Sequence, residues 1–120
     1  MPTIAEQLSE YTERLHYDAI PADVVRRAKY LMLDSVGIAF AASTFDFAHK
    51  TVNALAGFGS GDGDVIGFPV KLPLRDAVLA NGSLIHGLDF DDTHLLGVVH
   101  ITSSCFPTAL AVAEIGIAHV

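Results

Sequence analysis

From Tyr30 to Ser43 the chain carries an apolar surface that runs almost all the way round a helix, and no other feature limits the fold so strongly. Pro21 suits the first turn of such a helix, where a missing N–H breaks no hydrogen bond. Val24, Ala28, Leu31, Ser35 and Ile38 form one stripe, and Val25, Met32, Val36 and Ala39 widen it. Beyond Lys29 the segment leaves almost no face for water, so it is expected to lie buried between neighbouring helices. Asp34, Ser35 and Ser43 interrupt the longest apolar run before it reaches the roughly 18 residues of a membrane span.

The rest of the pattern is also mainly helical. Thr3-Ile4-Ala5-Glu6 reads as a capping box, and Ile4, Leu8, Tyr11 and Leu15 follow on one helical face. A third helix is predicted from Phe45 to Leu55. Gly57 to Asp64 reads as a flexible connector, because its glycines alternate and do not match a dinucleotide-binding fingerprint. Val65 to Phe68 is expected as a short strand or extended link, and the helical pattern resumes at Pro73 and stops at Gly87. A loop follows, with Ser103 or Ser104 as cap of a closing apolar helix from Pro107 to Val120. The expected fold class is mainly α with one short Gly-rich link. An apolar helix reaching Ala118-His119-Val120 also leads to the expectation that residues 1–120 are the N-terminal segment of a longer helical domain.

Composition excludes several classes. With 51% hydrophobic and 18% charged residues, the chain has too much to bury to be disordered. Seven Lys and Arg against fourteen Asp and Glu give a net charge of −7, which argues against nucleic acid or anionic membrane as a partner. The single cysteine, Cys105, rules out a disulfide framework and a cysteine-based zinc site, and is expected in the core. Met1 to Glu6 has no basic or apolar leader character, so a cytoplasmic location is expected.

Chemistry concentrates in His86-Gly87-Leu88-Asp89-Phe90-Asp91-Asp92-Thr93-His94, followed by His100. Three carboxylates within four residues repel one another unless they share a proton or a cation, a setting that suits a general base. Histidines beside them can donate protons or hold substrate carboxylates. A structural reading stands beside this one, in which Asp91 or Asp92 caps a helix and the histidines are solvated. Metal binding is a second alternative, without the spacing of a familiar metal motif. A third is the DxDxT motif of haloacid-dehalogenase-type phosphatases, which Asp89 to Thr93 matches literally. That motif needs a preceding buried strand, and here a helical pattern precedes it.

The longer run from Ala80 through Asn81, Gly82 and His86 to Asp89-Phe90-Asp91-Asp92-Thr93-His94 resembles the signature of the MmgE/PrpD family. Leu33 to Gly37, Val65 to Gly67, and Pro107 with Ala109 to Glu114 extend that resemblance along the chain. The family includes 2-methylcitrate dehydratase, cis-aconitate decarboxylase and iminodisuccinate epimerase. The resemblance implies an all-helical domain with a separate lid domain, in a homodimer. It also implies proton transfer beside a carboxylate of a small polycarboxylate, with no metal or organic cofactor. Matched by position, Asp89, Thr93 and His100 take the catalytic places, and His86, Asp92 and His94 become candidates for substrate binding. The family pattern has proline directly after the loop histidine, where this chain has Ile101, so His94 competes with His100. The lysine and histidines that complete the family's pocket further on have no counterpart in these residues. The expected function is therefore part of a lyase, first of all for dehydration of 2-methylcitrate, with decarboxylation of cis-aconitate or epimerisation as alternatives. A further alternative is an inactive fragment, or a subunit that needs a second chain.

Overall fold

The computed structural model describes residues 1–116, so the predicted end of the closing helix, with His119, lies outside the described residues. The chain divides into two units, residues 1–30 and the part from Leu31 onward. In the first unit, α1 (Ile4–Arg14) starts with the expected capping box. The Thr3 hydroxyl accepts from the Glu6 N–H at 3.2 Å, and the Glu6 carboxylate accepts from the Thr3 N–H at 2.7 Å. A 3-10 turn (Tyr17–Ala19) leads to the start of α2 (Ala22–Ala42). The apolar face of α1 is present, but none of its residues is buried among the described residues.

The capping box makes a prediction. Its hydrogen bonds to Thr3 hold the Glu6 carboxyl below the usual range, because they favour the charged form. A lowered folded-state pKa means that the box stabilises fully above the ordinary glutamate range and is lost as pH falls through the folded value. In an NMR titration Glu6 should therefore ionise below the ordinary glutamate range, and Thr3→Ala should bring it back.

In the second unit the end of α2 buries Ser35, Ile38, Ala39 and Ala42. The Ser35 hydroxyl donates to the Leu31 carbonyl at 2.8 Å, which lets a polar side chain sit inside. The expectation that α2 is enclosed on all sides is corrected, because Met32, Leu33 and Phe40 are exposed. The described residues supply a neighbour for one stripe only. Helix α3 (Asp46–Ala56) adds Ala48, Val52 and Leu55 to the core.

A second correction concerns the link. Strand β1 (Gly63–Asp64) pairs antiparallel with β2 (Lys71–Leu72), while Val65 to Phe68 forms the turn between them. The Phe68 N–H donates to the Val65 carbonyl at 3.1 Å, and Gly67 takes a φ of 79° that glycine adopts without strain. Asn81 fixes this segment from α4 (Leu74–His86): its amide oxygen accepts from the Ile66 N–H and its amide nitrogen donates to the Asp64 carbonyl, both at 2.9 Å.

Helix α4 lies between α3 and α5 (Thr102–Glu114), with Ala77, Ala80, Leu84 and Ile85 in the shared core and Phe106 facing them. Gly82 allows the close approach, since a Cβ there would sit 3.0 Å from the Ser103 carbonyl oxygen. That carbonyl is the one deprived of a partner by Pro107, which lies inside α5 and has no N–H. The expectation that α5 starts at Pro107 is thus corrected by five residues. Cys105 is corrected too: with Thr102, Ser103, Phe106 and Pro107 on the buried stripe, position 105 turns outward and is exposed. The mainly helical fold class holds, and among the described residues no single helix is long and apolar enough to cross a membrane. Helices α2 and α3 are long and apolar enough only when taken as a pair, which is bent by 93° at their junction.

Candidate functional site

The site forms where α4 stops. Gly87 ends the helix, and a side chain there would overlap the ring of Phe47 from α3, so only glycine lets the two elements touch. The Asp89 N–H donates to the His86 carbonyl at 2.8 Å, and Asp89 itself takes a φ of 57°, in the left-handed region. Aspartate is among the few residues that tolerate this conformation. The turn reverses the chain and brings Asp91 back against His86, with 3.1 Å between Asp91 Oδ1 and His86 Nδ1.

The loop then runs out and back. The His94 N–H donates to the Val99 carbonyl at 2.9 Å, and His94 Nδ1 accepts from the Gly97 N–H at 3.0 Å. Val98 sits inside this hairpin at a φ of 50°, a strained position for a β-branched residue. On its return the loop delivers His100. Asp92 accepts from the Thr102 N–H at 3.1 Å, which ties the loop to the first turn of α5 and satisfies one of its free amides.

Four side chains converge. His100 Nδ1 lies 3.4 Å from Asp91 Oδ1, and His100 Nε2 lies 3.7 Å from Asp89 Oδ1. The two imidazole rings are 4.6 Å apart between centroids, tilted by 59°. The Asp91 side chain is only 1% exposed, against 28% for His100, 52% for His86 and 79% for Asp89. The 3.4 Å approach of His100 Nδ1 to Asp91 lacks the direction of a hydrogen bond, so this buried nitrogen has no hydrogen-bond partner among the described residues. One nitrogen or oxygen from each of His86, Asp89, Asp91 and His100 lies within 4.8 Å of the others, a donor set that can hold either a proton or a metal ion. Between α4 and α5 a groove of about 390 Å³ carries His86, Ser83, Ser104 and Thr108 on its wall.

Of the residues singled out by sequence, the structure thus brings together Asp89, His86 and His100. Thr93 is exposed, and among the described residues no hydrogen bond joins it to the cluster. His94 and Asp92 have backbone partners in the loop. Asp91 is not among the residues that the sequence marks as site candidates, although it is the most buried member. In sequence it stands only as one of three crowded carboxylates, and its pairing with His86, five residues earlier, depends on the left-handed residue between them.

A helical domain with a carboxylate–imidazole cluster at a helix-to-loop break is a setting for acid–base chemistry. The profile of the MmgE/PrpD N-terminal domain matches residues 6–117, and the chain belongs to this family. Cis-aconitate decarboxylase of Aspergillus terreus is 31% identical over 113 residues, which are 93% of this chain and 23% of that protein. The proteins of the same name from Mus musculus and Homo sapiens are 26% and 28% identical over 116 residues, 95% of this chain and 24% of each. The chain therefore spans about a quarter of the length of the curated relatives it matches.

Proposed function

We propose that this chain supplies part of the active site of a lyase that moves a proton beside a carboxylate of a small polycarboxylate. The observation that carries this reading is the convergence of Asp89, Asp91, His86 and His100 at the edge of an open groove. Asp89, the most exposed of the four, takes a proton from the carbon next to the substrate carboxylate in a dehydration; in a decarboxylation CO₂ leaves instead, and Asp89 holds the imidazole that delivers a proton to carbon. His100 stands 3.7 Å from it and returns a proton, or holds the anion that forms. Thr93 donates a hydrogen bond to a substrate carboxylate, and His86 reaches the substrate from the groove. Asp92 and His94 act on binding through the loop that they hold. No cofactor is needed for this step.

Among the described residues no lysine or arginine forms an ion pair with the cluster, so a di- or tricarboxylate needs cations from elsewhere in the active assembly. The homodimer that the resemblance implies, and the cytoplasmic location expected from the sequence, belong to the same reading. Among the substrates, the names of the relatives favour cis-aconitate and its decarboxylation. Dehydration of 2-methylcitrate is the second reading, supported by the wider family resemblance; there a proton leaves carbon as hydroxide departs, whereas decarboxylation releases CO₂ and delivers a proton to carbon.

The test compares the two substrates with the protein as isolated from its source. Loss of CO₂ from cis-aconitate in clear excess over dehydration of 2-methylcitrate is the expected result. The reverse preference moves the assignment to the dehydratase, and inertness toward both overturns the lyase reading.

A further inference from the structure

We propose that His86, Asp91 and His100, together with Asp89, form a binding site for a divalent ion of the zinc class, whose occupation blocks proton transfer. Charge favours a cation here. Two carboxylates beside two neutral imidazoles carry a charge of −2 in a space whose donor atoms are within 4.8 Å of one another, and Asp91 is almost wholly buried. A dication offsets that charge completely.

Geometry points the same way. Zinc holds nitrogen and oxygen ligands at about 2.0–2.2 Å, which puts neighbouring ligands of a tetrahedral site roughly 3.4 Å apart. Here Asp91 Oδ1 is 3.1 Å from a nitrogen of His86 and 3.4 Å from one of His100. Among the described residues the buried His100 Nδ1 has no hydrogen-bond partner, although it faces a carboxylate. A buried polar atom left in that state costs free energy, and an ion bridging it to Asp91 gives both atoms a partner. Two imidazoles with two carboxylates suit zinc or cobalt, whereas magnesium and calcium prefer oxygen alone. Motif spacing does not reveal this site, because its ligands stand at intervals of three, two and nine residues and meet only through the left-handed turn at Asp89.

Such a site needs only the ligand atoms and does not rest on the lyase reading. It is tested by titrating Co²⁺ into chelator-treated protein and following its visible absorption, with calorimetry of Zn²⁺ in parallel. The expected result is one ion per chain with a low-coordinate cobalt spectrum, and at least about tenfold weaker binding in His86→Ala and in His100→Ala. Circular dichroism checks that both variants are folded. Should either fail to fold, the ring-nitrogen NMR signals of the unaltered protein decide: Zn²⁺ is expected to move those of His86 and His100 and to leave His16 in place. An absence of binding, or binding that leaves both rings unmoved, overturns the proposal and leaves a shared proton as the only occupant. If the lyase is active, Zn²⁺ should also inhibit it and EDTA should restore it. Inactivity of the protein toward polycarboxylates leaves the binding result as it stands.

Discussion

Asp91→Asn is expected to lower turnover about 10²–10⁴-fold while the helices stay folded, because it removes what orients an acid–base pair. Asp91 lies 3.1 Å from the His86 ring and 3.4 Å from the His100 ring, with its side chain 1% exposed. Asparagine keeps the shape and can accept one imidazole N–H, but it lacks the charge that supports an imidazolium. His100 then loses the attraction that keeps it beside Asp89, and a proton transfer depends steeply on that placement. Asp91 acts here as a positioning residue, so the loss should fall on kcat more than on KM and should change the pH–rate profile. Circular dichroism should be unaltered. A variant that raises KM alone, with the profile unchanged, contradicts this role.

Asn81→Leu is expected to destabilise the second unit by about 2 kcal/mol, since it strips partners from two part-buried backbone groups. The residue is 3% exposed, and its side chain bonds to the Ile66 N–H and the Asp64 carbonyl. Leucine fills a similar volume, so the loss comes from hydrogen bonding and not from a cavity. For a unit of this size the melting midpoint should fall by roughly 8–15 °C. Thermal unfolding checks this, and a shift of less than about 3 °C would show that water replaces both bonds. The asparagine in the family-like run thus has a structural role, fastening the β1–β2 turn to the helix that carries His86.

The contrast between what sequence revealed and what it hid follows from the range of the interactions. The start of α1, the limits of α2 and α3, and the end of α4 rest on caps, glycines and periodicity within a few residues, and all were legible. The β1–β2 turn was misplaced because the bonds that define it come from Asn81, 15 and 17 residues away. The start of α5 was misplaced because Pro107 reads as a first-turn residue, while the group that meets the true first turn is Asp92, ten residues earlier. The exposed side of α2 cannot be inferred from its own pattern, which demands neighbours that the described residues do not provide. In the site, residue type pointed to the whole run from His86 to His94 with His100, and the family resemblance singled out Asp89 and His100 within it. The place of Asp91 depends on the backbone turning left-handed at Asp89, and aspartate permits that conformation without announcing it.

The central claim is that this cluster serves proton movement beside a carboxylate, and solvent deuterium tests it most directly. The protein as isolated from its source is incubated in D₂O with cis-aconitate and, separately, with 2-methylcitrate, and carbon-bound deuterium is followed by NMR. The account predicts that deuterium enters the carbon next to a carboxylate in one of the two reactions, and that Asp89→Asn abolishes this while circular dichroism stays unchanged. Folded protein that places no deuterium on carbon, or an Asp89→Asn variant that exchanges as fast as the unaltered protein, would contradict it.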